Sequence, residues 1–175
     1  MPDASAASVP SVVLLSGLGR LSLRGGPEVL TAAGRAFGVA LPDQPCRAAE
    51  GDARAALWLG PDEQLLLVQL EEWSGTLAAL GQALSGLPHA LVDISQRQIG
   101  LQVSGAHAAT LLNAGCPLDL HPSAFPVGRC TRTLLAKAPI VLWRTAPDVF
   151  HLEVWRSFVP YVERLLQEAS GDLMS

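Results

Sequence analysis

The chain has 175 residues, enough for one domain or two tightly fused halves, and 49% of them are apolar against 16% charged, so a large core can be buried. Twelve Lys and Arg lie scattered among sixteen Asp and Glu, for a net charge of −4, which excludes a basic nucleic-acid face. No apolar run reaches the length of a membrane-spanning helix, so no membrane segment is expected.

The N-terminus, MPDASAASVP, is small and polar and has no basic stretch followed by an apolar one. It reads as a disordered tail over residues 1–11 rather than a signal peptide, with residues 12–175 as a single domain. Residues 12–15 and 21–23 are short apolar pieces split by Gly17 and Gly19, two strands joined by a tight turn. Pro27 suits the first turn of a helix, Val29, Leu30, Ala33, Ala36 and Phe37 share one of its faces, and Gly38 ends it. Residues 41–54, rich in Pro, Asp, Ala and Gly, read as a loop. Two apolar runs, 56–59 and 65–70, flank Gly60-Pro61-Asp62, which is hairpin chemistry. Trp73, Leu77, Leu80 and Leu84 then recur at i, i+4, i+7 and i+11, a helix stripe, and Gly86-Leu87-Pro88 closes the half.

In the second half Ile99, Leu101 and Val103 alternate with polar or small residues, the period of a half-buried strand. Ser104-Gly105 turns the chain into a short helix over 106–113, with Gly115 at the place of a left-handed cap. A polar, Pro-bounded loop follows and holds Asp119, His121 and Phe125. Loops held by rigid elements are where binding residues gather, while an Asp in a turn equally bonds its own backbone. Residues 129–136 read as a strand and 140–143, continuously apolar, as a central one. After a Pro147-Asp148 turn, Phe150, Leu152 and Val154 form a buried face, and His151 and Glu153 a wet or shared one. Ser157 suits the cap of a last helix in which Phe158, Val162, Leu165 and Ala169 repeat the spacing of the Trp73 helix.

Three matches predict an internal repeat. The two helices share their spacing, Leu57-Trp58 and Leu142-Trp143 precede matched Pro-Asp turns, and LRGGPEVLTAAGRAFG echoes VSGAHAATLLNAG. The chain is therefore read as α+β: two pseudo-repeated strand–helix–strand–strand–helix halves, about 12–88 and 89–170, with antiparallel sheets and helices packed on one face.

The search for catalytic motifs is negative: there is no Gly-x-Gly-x-x-Gly after a strand, no Walker loop and no Gly-x-Ser-x-Gly elbow. Cys46, Cys116 and Cys130 are widely spaced with no Cys-x-x-Cys pair, which suits reduced thiols in a cytoplasmic protein better than a disulfide framework or zinc site. His89, His107, His121 and His151 are dispersed. Asp119 and His121, two residues apart, have the spacing of a hydrogen-bonded turn more often than of a ligand pair. Two clusters suit contact with a partner. Asp93 and Arg97 would form an ion pair worth little in water but able to fix register once desolvated. Trp155 and Arg156 are residue types enriched at binding hot spots, and Trp155 equally suits a strand end packed under the helix.

The stretches VDISQRQIGLQVSG, GCPLDLHPSAFPVG, RTLLAKAPIVLWR and EVWRSFVPYVERLL, with LGRLSLRG and ALWLGPDEQLLLV in the first half, resemble the gamma subunit of heterotetrameric sarcosine oxidase. The resemblance covers nearly the whole chain after the N-terminal tail. It implies a bacterial, cytoplasmic complex of alpha, beta, gamma and delta subunits that oxidises sarcosine to glycine, forms hydrogen peroxide and passes the methyl carbon to tetrahydrofolate. It implies FAD, FMN and NAD in the alpha and beta subunits, tetrahydrofolate in the partners, zinc in delta, and no cofactor or catalytic residue in gamma. The chain would be a non-catalytic subunit that stabilises or shapes the alpha subunit, its main partner. Asp93, Arg97, Asp119, His121, Phe125, Trp155 and Arg156 are the interface candidates.

The same family is more distantly similar to the tetrahydrofolate-binding fold of glycine-cleavage aminomethyltransferase. In that fold an Asp after the short helix lies near the folate, and Asp119 and Gly128 stand at the matching places. Where the folate enzymes carry Gly-Gly-x-x-Asp-Asp, this chain has Ala138-Pro139-Ile140-Val141-Leu142-Trp143. A small folate-binding or one-carbon-transfer module using Asp119 is the alternative expectation, and a stand-alone ligand-binding domain a third.

Overall fold

The computed structural model describes residues 9–173. The tail expected over residues 1–11 lies outside the described residues as far as residue 8, and Ser11 already belongs to a strand. The elements run β1 (Ser11–Leu15), β2 (Leu18–Gly25), α1 (Pro27–Phe37), β3 (Ala48–Glu50), β4 (Arg54–Gly60), β5 (Glu63–Gln69) and α2 (Trp73–Ala83). They continue as β6 (His89–Asp93), β7 (Gln98–Ser104), α3 (Ala108–Asn113), β8 (Cys130–Leu135), β9 (Ala138–Ala146), β10 (Val149–Trp155) and α4 (Val159–Asp172). The second run repeats the first element for element. The chain enters both α2 and α4 through one 3-10 turn, Leu70–Glu72 and Arg156–Phe158.

The strands form two antiparallel five-stranded sheets, ordered β3-β4-β5-β2-β6 and β8-β9-β10-β7-β1. Each half gives its first strand to the sheet of the other. β1 pairs with β7, Ser11 opposite Ser104, and β6 pairs with β2, Leu21 opposite Asp93. Residues 12–15 and 21–23 are therefore strands of different sheets and not a hairpin. β2 lies between β5 and β6, so neither of its edges is open to β1. The loop expected over 41–54 contains the short edge strand β3.

At their β3 and β8 ends the sheets join. Ala48 N–H donates to Gly128 O at 2.8 Å and Cys130 N–H to Cys46 O at 2.9 Å, around a bridge between Arg47 and Arg129. These two arginines hold equivalent places, one residue ahead of β3 and of β8, so the halves meet through matching residues.

Burial follows from this stacking. Val29, Ala33 and Phe37 of α1 and Leu80 of α2 pack on Leu21, Leu23, Ala56, Leu66 and Val68. Leu111 and Leu112 of α3 and Val162 and Leu166 of α4 pack on Leu101, Val103, Phe150, Leu152 and Val154. Between the sheets, Ala55, Leu57, Leu65 and Leu67 meet Cys130, Val141 and Trp143. The layers are helices, sheet, sheet, helices. Leu65 to Val68 are continuously apolar because one face of β5 meets helices and the other meets the second sheet. Each such leucine contributes about 1.5–3 kcal/mol by leaving water.

Several local expectations change for stated reasons. On α2 the inward stripe runs from half-buried Trp73 through buried Thr76 and Leu80 to Leu84 just past the helix end, so Leu77 turns outward, 38% exposed. Gly115 has no left-handed backbone. A Cβ there would come within 3.1 Å of Ala136 N, so its smallness lets the end of α3 approach the β8–β9 turn. Ser157 lies in the 3-10 turn ahead of α4 and makes no cap bond. No helix among the described residues is long and apolar enough to cross a membrane.

Candidate functional site

The turn between β6 and β7 folds against the end of β10. Asp93 Oδ1 accepts the Ser95 N–H at 2.8 Å, closing an Asx turn. Arg97 lies over the Trp155 ring, 5.5 Å from its centroid, a cation–π distance. Arg156 ties the two segments together, its backbone N–H donating to Arg97 O at 2.8 Å and its Nε to Gln96 O at 2.9 Å. Asp93, Arg97, Trp155 and Arg156 thus gather at one corner. The Asp93–Arg97 ion pair does not form: the aspartate holds its own turn while the arginine stacks on Trp155. Trp155 is 45% exposed rather than tucked beneath the helix.

The second group of candidates sits on the loop over residues 116–128. Asp119 Oδ1 accepts the His121 N–H at 2.9 Å, and His121 Nδ1 meets Ser123 Oγ at 2.7 Å. Both side chains are exposed. Phe125 points inward: it is 2% exposed and packs on Phe150, centroids 6.5 Å apart. The apolar loop residues go inward because buried Arg144 on β9 gathers the backbone around them. Arg144 Nη1 donates to Leu120 O at 3.1 Å and Phe125 O at 2.9 Å, Nε donates to Pro147 O at 3.0 Å, and the guanidinium lies 5.0 Å from the Phe150 centroid. Arg144 closes the quoted run RTLLAKAPIVLWR, and nothing in that run marks its role.

Asp119 lines a shallow hollow of about 260 Å³ with Phe125, Arg129 and Thr131. On β9, Ile140, Val141, Leu142 and Trp143 fill the cores on both faces. Among the described residues no group of three or more His, Cys, Asp or Glu is placed to hold a metal. The three cysteines are free thiols. Cys116 is core, and burial pushes the Cys130 thiol up to about 12.

A polar cluster between the sheets was hidden from the sequence. Arg20 Nε donates to Glu153 Oε2 at 2.5 Å, and His151 Nε2 lies 2.7 Å from Glu153 Oε1. His151 and Glu153, on the face of β10 read as wet or shared, are 7% and 1% exposed because the second sheet covers them. Burial alone would raise the Glu153 pKa; hydrogen bonds and charge from His151 and Arg20 outweigh it and hold the carboxyl below the usual range. Gly100 makes room: a Cβ there would lie 3.0 Å from Arg20 Nη2 and 3.2 Å from Glu153 Oε1. Nearby, Glu63 meets Arg132 at 2.5 Å and Arg24 at 2.6 Å, and the Arg132 bond, foremost, holds its pKa low.

The α+β sandwich is a fold this chain shares with an aminomethyltransferase. The chain superposes on glycine cleavage system aminomethyltransferase T from Bartonella henselae with TM-score 0.70 at 12% identity, over 91% of this chain and 45% of that one. A chain of the heterotetrameric sarcosine oxidase from Corynebacterium sp. U-96, solved with pyrrole 2-carboxylate, matches with TM-score 0.91 and 32% identity, over 98% of this chain and 88% of that one. The family model for the sarcosine oxidase gamma subunit matches residues 24–172. The sarcosine oxidase subunit gamma of Arthrobacter sp is 42% identical over 120 residues, 67% of this chain and 57% of the relative. That of Corynebacterium sp. (strain P-1) is 35% identical over 145 residues, 82% and 70%. The chain belongs to the sarcosine oxidase gamma subunit family.

Proposed function

We propose that the chain is the non-catalytic gamma subunit of a bacterial, cytoplasmic heterotetrameric sarcosine oxidase. The observation that carries this reading is the likeness to a chain of the Corynebacterium heterotetramer over 98% of the present chain. In this reading the chain supplies a rigid, shape-matched surface to a large alpha subunit, with beta and delta completing the complex. A subunit that binds only the assembled state stabilises that state by mass action. In this reading FAD, FMN, NAD and tetrahydrofolate are held by the partner subunits. The three free thiols suit a reducing compartment.

The contact surface in this reading is centred on Trp155 and Arg97, with Asp93 and Arg156 beside them and Asp119 and His121 on a second rim. An exposed Trp stacked by an Arg is the composition of a hot spot, where truncation costs about 2 kcal/mol or more, roughly thirtyfold in affinity. The test is co-expression of the four subunits with Arg97→Ala/Trp155→Ala in this chain. The expected result is loss of the gamma subunit from the purified flavin-containing complex, while the isolated variant keeps its melting temperature. An intact complex carrying the double variant would place the contact elsewhere. If the wild-type chain purifies from its host as a colourless monomer, the subunit reading itself fails. Folate binding by that monomer, lost in Asp119→Ala, would then favour a one-carbon module.

A further inference from the structure

The two halves differ at one matched pair of side chains. Trp58 N–H donates to Arg47 O at 2.9 Å, and Arg144 N–H donates to Arg129 O at 3.0 Å. Arg47 and Arg129 hold equivalent places, so Trp58 on β4 and Arg144 on β9 are equivalent too. Their cross-strand partners match in turn, Gln64 opposite Trp58 and Phe150 opposite Arg144. The polar and the aromatic member of the pair have therefore changed places between the halves. In both, the polar member holds the loop that joins helix to strand. Gln64 Nε2 donates to Pro42 O at 3.0 Å, as Arg144 Nη1 donates to Phe125 O at 2.9 Å.

What covers the pair differs. In the second half the joining loop runs over 114–128, turns Leu120 and Phe125 inward and lays Phe125 on Phe150. In the first half it runs over 38–46 only. That short loop lies tight against α1, where a Cβ on Gly34 would come within 3.2 Å of Leu41 N, and it leaves Trp58 half-buried. Trp58 lines an open hollow of about 810 Å³, walled by Leu30, Leu41 and Pro61. Pro61 matches Pro147, whose carbonyl accepts from Arg144 Nε at 3.0 Å, so the hollow opens where the longer loop is docked in the other half. Arg35 and Asp43 line it as exposed charges of opposite sign, and among the described residues neither has an ion-pair partner.

We propose that this hollow receives an apolar loop of the large partner subunit, which lays an aromatic or other bulky apolar side chain on Trp58 as Phe125 is laid on Phe150. The molecule's own second half indicates the kind of occupant, because there a chain segment with an inward aromatic residue fills the matching space. Charged groups flanking the incoming loop fix its direction against Arg35 and Asp43. The inference rests on the subunit reading above and extends it. Leu59, next to Trp58, borders the cavity lined by Arg97 and Trp155, so the hairpin tip joins the hollow to the contact corner.

The experiment co-expresses the four subunits and measures how much of this chain stays with the purified complex. Thr31 is exposed on α1 and lines the hollow, so Thr31→Trp fills the space from outside the core. Retention is expected to fall about tenfold or more in Thr31→Trp and to stay at the wild-type amount in Thr31→Ala, with both isolated variants keeping the wild-type melting temperature. In the complex, benzoylphenylalanine placed at position 31 should cross-link to one stretch of the partner subunit that carries a bulky apolar side chain. Wild-type retention of Thr31→Trp overturns the proposal. So does a cross-link formed only within this chain or to a second copy of it. If the wild-type chain itself fails to co-purify, the subunit reading falls and this inference with it, a failure seen before any variant is compared.

Discussion

Arg20 on β2 and Glu153 on β10 meet at 2.5 Å between the sheets, their side chains 5% and 0% exposed. One belongs to each sheet, so the pair couples the two layers at a point where apolar residues surround it. Such a pair is weak evidence of net stability, because desolvating both charges offsets their attraction. Removing one partner is different, since it strands the other charge in the interior.

Arg20→Met is therefore expected to lower stability by about 3–5 kcal/mol in urea unfolding. Arg20→Met/Glu153→Leu should recover most of that loss, because no buried charge is left alone. A single variant within about 1 kcal/mol of wild type would show that Glu153 has another adequate partner.

The same carboxylate sets an acid limit. Its folded pKa lies below its unfolded value, so its contribution to stability is present above the ordinary carboxylate range and is lost as pH falls through the folded pKa. Glu63 acts in the same direction. Stability measured from neutral pH downward should fall less steeply in Glu153→Gln than in wild type, although the variant starts lower. Parallel curves would remove Glu153 from the acid response.

Arg144 holds the loop over residues 116–128 by its carbonyls, so Arg144→Met should cost about 3 kcal/mol and loosen that loop first. Hydrogen exchange is the suitable measurement. Amides 118–128 should lose protection well before those of β10. Uniform loss across the chain would mean that Arg144 supports the whole sheet and not the loop in particular.

The thiols should separate under native alkylation at mildly alkaline pH. Cys46 is half-buried, while Cys116 and Cys130 are buried and the Cys130 thiol is pushed up to about 12. Iodoacetamide followed by mass spectrometry should find the label on Cys46 and not on the other two until the chain unfolds. Native labelling of Cys130 would show that the β8 edge opens.

The elements themselves are written locally. Pro27 and Gly38 bracket α1, the Pro61-Asp62 and Pro147-Asp148 turns set the two hairpins, and the spacing from Phe158 to Ala169 marks α4. The Asp119–His121 turn is likewise visible, because an Asx bond spans only two residues. Phe125 is not, because its inward position depends on an arginine nineteen residues away in the chain. Leu77 and Thr76 exchange roles because neighbouring turns of a helix offer two stripes of similar quality, and only the opposing sheet selects one.

By itself, then, the sequence determined the α+β class, the periodic elements, the internal echo and the family to which the chain is similar, since short-range patterns and ordered motifs suffice for these. The tertiary structure alone decided that β1 and β6 cross to the other half's sheet and that His151 and Glu153 face a second sheet instead of water. It also decided that Arg97 stacks on Trp155. Strand pairing and burial depend on which edges and faces remain free once distant segments have docked, and no local pattern carries that information.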